Sequence, residues 1–177
     1  MRLTLTYRGL LPPTQKGVSS AKADLRRAFH PQIKSQVGRL LTDNSQPYMT
    51  TFMGGHEFVS PAHKGFWTAV ELDVLILTRN LIRPGDVDNR LKTLIDGLTR
   101  PANPQQLQSF SSPAEGGATF CLLDDDRLVD RVAVDTRVWH EPGLATNEAL
   151  VIVTARLVLH QEATMNTPMQ TLFFLVS

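Results

Sequence analysis

Six aspartates fall in two short runs of this 177-residue chain. Asp86, Asp88 and Asp96 lie in Arg83-Pro-Gly-Asp86-Val-Asp88-Asn89-Arg90-Leu-Lys92-Thr-Leu-Ile-Asp96-Gly-Leu98, and Asp124, Asp125 and Asp126 are adjacent between two apolar runs. Carboxylate oxygens are the hard ligands that Mg²⁺ prefers. A metal held by them polarises a phosphodiester and lowers the pKa of a bound water enough for attack on phosphorus. Lys92, one helical turn after Asp88, could hold a phosphate or form an ordinary i,i+4 ion pair. Asp86 and Asp88 also have a purely structural use, as helix cap and as partner of the positive end of the helix dipole. Residues two apart in a helix face away from each other. Asp86 and Asp88 are therefore expected to share a ligand only if Asp86 lies in the turn before the helix, where Gly85 gives freedom. In an extended run Asp124 and Asp126 would lie opposite Asp125.

Other chemistries lack their patterns. No Cys/His spacing suggests zinc. The chain has no G-x-x-x-x-G-K-[ST], no G-x-G-x-x-G and no G-x-S-x-G. Its five histidines, His30, His56, His63, His140 and His160, form no recognisable motif. The one cysteine, Cys121, cannot form an internal disulfide; it reads as a small core residue and suits a reducing, cytoplasmic setting. The first eight residues alternate apolar and polar side chains, the pattern of a strand and not of a signal peptide. No apolar run approaches the roughly 20 residues that span a bilayer, so no membrane association is expected.

The elements that must position the aspartates follow from periodicity. After the first strand, Pro12, Pro13 and Gly17 mark a loop. Ser19 or Ser20 then opens a helix carrying Leu25, Phe29, Ile33, Val37, Leu40 and Leu41, which Pro31 is expected to end or kink near His30. Residues 43–65 read as a loop or irregular hairpin. A strand over 67–77 places Val70, Leu72, Val74 and Ile76 on one face. A helix over 87–98 gathers Val87, Leu91, Leu94, Ile95 and Leu98 on one side. Residues 99–119, rich in Pro, Gln, Ser and Gly, read as a long flexible inserted loop. Strands are expected over 118–123, 128–138 and 149–159, and 171–176 as an edge strand or a partner contact. The fold class is α/β: a single domain over 1–177, with a small mixed β-sheet and two main helices.

Net charge is only +1, but it is unevenly spread. The first forty residues hold eight basic side chains against one acidic one, Asp24; from Pro101 onward four arginines face nine acids. A basic half suits a polyanion and an acidic cluster a cation. The plain alternative is a solvated helix face and an acidic turn.

The pattern D-x-D-N-x-x-K-x-x-x-D-x-L over residues 86–98, followed by Leu123-Asp124-Asp125-Asp126-Arg-Leu-Val129-Asp130, resembles the RusA-type Holliday-junction resolvases, endodeoxyribonucleases of bacteria and their prophages. The resemblance covers 83–132. It implies Mg²⁺ (or Mn²⁺ in its place) on Asp86, Asp88 and Asp125, support of catalysis by Lys92, and a homodimer acting on branched DNA. Lys22, Arg26, Arg27 and Lys34 of the first helix, with Arg90, would contact DNA phosphates, giving position without sequence readout. The chain departs from the family in the length of 99–119 and in having only Arg79 and Arg83 before D-x-D. Two other readings compete: a non-catalytic nucleic-acid-binding or assembly protein with the same fold, and a glycosyltransferase using D-x-D for a metal–nucleotide sugar. Short length and the lack of a nucleotide-binding βαβ unit count against the latter.

Overall fold

Alternating side chains build the main sheet, and the computed structural model describes it within residues 1–13, 19–41, 45–107, 117–140, 143, 145, 148–160, 171 and 175. The strands are β1 (Arg2–Leu10), β2 (Thr50–Met53), β3 (His56–Val59), β4 (Thr68–Thr78), β5 (Thr119–Phe120), β6 (Val129–Val138) and β7 (Glu148–Leu159). The helices are α1 (Ser19–Val37), α2 (Pro84–Leu98) and the short α3 (Pro104–Leu107). The larger sheet has the order β1-β7-β4-β6, with β4 antiparallel to β7 and parallel to β6; the smaller one has the order β2-β3-β5. The architecture is mixed α/β with two main helices. Among the described residues, no helix is long and apolar enough to cross a membrane.

One face of the larger sheet supplies the core. Leu3, Leu5 and Tyr7 of β1, Val151, Val153 and Ala155 of β7, and Val70, Leu72, Val74 and Ile76 of β4 are all buried there, as the two-residue period of β4 predicts. Leu25, Phe29, Ile33 and Val37 of α1 join the same core. The helix is continuous across Pro31 and does not end near His30. Its missing N–H costs about 3 kcal/mol. Burying each of the four flanking apolar side chains contributes roughly 1.5–3 kcal/mol, which outweighs that loss. The helix stops at Val37, and Leu40 falls in a separate 3-10 turn, Gly38–Leu40.

α1 also closes one edge of the sheet. The side-chain amides of Gln32 and Gln36 bond the backbone of β1: Gln32 accepts from Thr6 N (2.8 Å) and donates to Thr6 O (2.7 Å), while Gln36 does the same with Thr4 (3.1 and 2.9 Å). They stand where another strand would pair, so this edge offers no template. At the opposite edge, β6 has no second strand neighbour among the described residues.

Residues 43–65 contain the β2–β3 hairpin, turned by Gly54 and Gly55, both with positive φ. The expected long loop 99–119 contains α3 at its start and β5 at its end; 108–116 lie outside the described residues. At the C-terminus, the two described residues of 171–176 are helical and not strand, and Thr171 Oγ1 donates to Phe66 O (3.0 Å).

Candidate functional site

The motif over 86–98 divides into a free half and a structural half. α2 begins at Pro84, preceded by Arg83 as N-cap without a side-chain cap bond, so Asp86 lies inside the first turn and not in the turn before it. At 3.6 residues per turn, Asp86 and Asp88 point about 200° apart. Asp86 is half-buried, whereas Asp88 and Lys92 are exposed. Asp86 keeps a place in the first turn, beside the positive end of the helix, but capping and ion pairing are not realised. Asp86 caps nothing, Asp88 and Lys92 form no ion pair, and none of the three side chains has a hydrogen-bond or ion-pair partner among the described residues.

Asp96, Gly97 and Leu98 at the other end of α2 are fully engaged. Leu98 is in the core. Asp96 pairs with Lys22 of α1 (Nζ–Oδ2 2.6 Å). Arg26, only 7% exposed, donates from Nε to Thr99 O (2.8 Å) and from a terminal nitrogen to Asp96 O (2.8 Å). It thereby satisfies carbonyls at the helix end that have no partner within the helix. A Cβ on Gly97 would stand 2.6 Å from Leu25 Cβ, so a glycine is needed for α1 and α2 to approach this closely.

This changes the expected DNA surface. Arg26 is turned into the protein and is not a phosphate contact, and Lys22 is neutralised by Asp96. Arg90 is also drawn inward: a terminal nitrogen bonds Leu11 O, and its Nε is buried without a partner. Arg27 and Lys34 remain exposed, with Arg27 paired to Asp24 (3.0 Å).

The second acidic run lies at the far end of α2. Leu122 N and Leu123 N both donate to Leu98 O (3.0 and 3.1 Å), and Arg100 N donates to Leu123 O (3.0 Å). Asp126 feels the charge of Asp96, which is two turns, or about 12 Å of helix, beyond Asp88. Asp125 thus belongs to a run tied to the C-terminal end of α2, whereas Asp86 and Asp88 lie near its N-terminal end. Among the described residues, no group of three His, Cys, Asp or Glu side chains is placed to hold a metal ion. The three carboxylates implied by the resemblance, Asp86, Asp88 and Asp125, form no such group among the described residues.

Adjacent aspartates here have opposite environments. Asp125, its side chain 39% exposed, accepts Arg127 N (3.0 Å) and a forked pair from the Arg127 guanidinium (both 3.1 Å). Partial burial raises its pKa, but the hydrogen bonds from Arg127 and Asp126 outweigh that and hold it below the usual carboxylate range. Asp126 is pushed up, by partial burial first and then by its bond to Asp125. Asp125 and Arg127 line two adjoining clefts of about 520 and 300 Å³; Lys64, Asp130 and His160 border the first, Lys22, Asp96 and Arg100 the second.

Asp124 points inward, its side chain 15% exposed. It accepts from Thr51 Oγ1 (2.7 Å) and from Arg100 Nε, and His63 Nε2 lies 3.7 Å away. His63 Nδ1 accepts from Gly65 N (2.9 Å), so a neutral ring carries its proton on Nε2, facing Thr51 Oγ1 at 3.1 Å. That tautomer cannot take a proton from Thr51, and the Thr51–Asp124 bond ties β2 to the acidic run. The cluster joins residues 73 positions apart, and no local sequence signal could have revealed it.

Burial lowers the pKa of His63, and nearby Arg100 adds to this while Asp124 opposes it. The unfolded chain then binds the proton more readily, so stability is lost as pH falls through the ordinary histidine range. Melting temperature is expected to drop between pH 7 and pH 5, and His63→Gln should flatten that drop. An equal slope in the variant would assign the pH dependence to other groups.

Compared with known proteins, the chain matches no family model and no curated sequence.

Proposed function

We propose that this protein is a Mg²⁺-dependent endonuclease of the RusA type that cuts branched DNA such as Holliday junctions. The observation that carries the reading is that Asp86, Asp88 and Lys92 have no hydrogen-bond or ion-pair partner among the described residues, in an otherwise well-bonded helix. Unpaired charges held on a rigid helix, within a motif that resembles a nuclease signature, are available for a ligand.

Asp88 and Lys92 share one face, one turn apart. One carboxylate suits a Mg²⁺ ion that keeps several waters and takes its other ligands from substrate phosphates; it does not suit a closed protein cage. The metal, when bound, would supply Lewis acidity and an activated water. Asp88 would orient it, and Lys92 would hold the neighbouring phosphate by charge. Asp86, on another side of the helix, and Asp125, in the run tied to its far end, would enter the same centre from a second copy of the chain. A homodimer is part of the proposal, since paired sites suit a junction cut on two matching strands. β6, which has no second strand neighbour among the described residues, would offer such a copy a strand to pair with.

The test is cleavage of labelled four-way junction, flap, linear duplex and single-stranded DNA, each in Mg²⁺ and in EDTA. Metal-dependent nicking favouring branched substrates is expected. Tight binding to the junction without nicking in Mg²⁺ or Mn²⁺ would move the protein to the non-catalytic, DNA-binding reading.

A further inference from the structure

The segment between β4 and α2 carries a feature that the cleavage chemistry does not use. Leu81 is 83% exposed, more than any other large apolar side chain described. Single exposed leucines are common on protein surfaces, but the backbone around this one is fixed. On one side, Thr78 Oγ1 donates to Asn80 O (2.7 Å) and Trp139 N donates to Thr78 O (2.9 Å). On the other, Ile82 is 8% exposed and belongs to the core, and Asp86 N donates to Arg83 O (2.9 Å). Leu81 is thus held outward by anchors on both flanks. Arg79 and Arg83, which bracket it, are exposed and have no hydrogen-bond or ion-pair partner among the described residues. Five residues after Leu81 comes Asp86, the start of the candidate site.

We propose that residues 79–83 form a DNA-engaging wedge, in which Leu81 enters an opened base step at a branch point while Arg79 and Arg83 hold the flanking phosphates. The inference rests on the branched-DNA reading above and names how a branch would be told from a continuous duplex. An apolar side chain between base steps must offset the cost of unstacking. That cost is lowest where stacking is already interrupted, as at a branch. Guanidinium groups on either side give the wedge affinity without sequence readout, and that affinity depends on salt. The short distance along the chain to Asp88 would set the scissile phosphate a fixed distance from the branch.

The experiment uses the full-length protein in EDTA, so that no cleavage occurs, with 2-aminopurine placed at the centre of a four-way junction or within a linear duplex. Binding of the wild type is expected to raise junction fluorescence about twofold or more, with little change in the duplex, as an unstacked base requires. Leu81→Ala should lose that rise and its preference for the junction while binding linear duplex within about threefold of wild type, since the phosphate contacts remain. Leu81→Phe should restore the rise. Arg79→Ala with Arg83→Ala should weaken binding to every DNA by roughly tenfold and flatten its salt dependence. An unchanged fluorescence rise and junction preference in Leu81→Ala overturns the wedge alone, while wild-type cleavage of branched DNA stands. Failure of the wild type to bind any DNA overturns both the wedge and the nuclease reading.

Discussion

Asp88→Asn should lower cleavage of a four-way junction by roughly 100-fold or more, the usual consequence of removing one preorganised electrostatic group from a reacting site. The same substitution should leave the fold nearly untouched. Asp88 is exposed, has no hydrogen-bond or ion-pair partner among the described residues, and lies beyond the first turn of α2. The helix-dipole contribution it forfeits is therefore at most about 1 kcal/mol. DNA binding should persist or tighten, because a negative charge facing the phosphates has been removed. Single-turnover cleavage, junction binding and thermal melting, measured on one preparation, check all three parts. A variant that cuts at the wild-type rate makes Asp88 a bystander. One that unfolds gives the residue a structural role that its lack of contacts denies.

The opposite profile is expected one acidic run away. Asp124→Ala should destabilise the protein by about 2–4 kcal/mol, because it strands the Arg100 guanidinium, only 17% exposed, without its counter-charge. It also deprives Thr51 Oγ1 of its acceptor. For a chain of this length that corresponds to a fall in melting temperature on the order of 10 °C. Asp125→Ala, which removes an exposed pair with Arg127, should cost about 1 kcal/mol or less. Parallel melting curves of the two variants decide the matter. Equal losses would mean that Asp125 carries more of the structure than its exposure allows.

The contrast between these neighbours shows what the sequence made legible. β4 and the apolar face of α2 were readable because burial imposes a period of two on a strand and about 3.6 on a helix, and nothing interrupts either pattern. The expectation that Asp124 and Asp126 lie opposite Asp125 assumes an extended run, but Asp126 opens a 3-10 turn and its side chain bonds that of Asp125, so only Asp124 turns inward. The partners of Asp124 were not readable, because Thr51, His63 and Arg100 arrive from distant parts of the chain.

Arg26 shows a different limit. Its charge suggested the surface, yet it lies three residues before Phe29 and seven before Ile33, on the stripe those residues bury. The spacing held the correct answer and the charge hid it. Pro31 misled in the same way, because a local cost known from the residue type was overridden by packing visible only in the fold. The aspartate motif read as one unit, but its two ends have different surroundings. Asp96 and Gly97 fasten α1, while Asp86, Asp88 and Lys92 are left free.

The proposed nuclease would hold its divalent metal at the N-terminal end of α2. Localised backbone cleavage tests it most directly, with Fe²⁺ in place of Mg²⁺ and ascorbate and peroxide generating hydroxyl radicals at the bound ion. Cuts are expected within residues 84–92, suppressed by excess Mg²⁺ and absent in Asp88→Asn. Cuts confined to residues 124–127, or a pattern indifferent to Mg²⁺ and to Asp88, would contradict it.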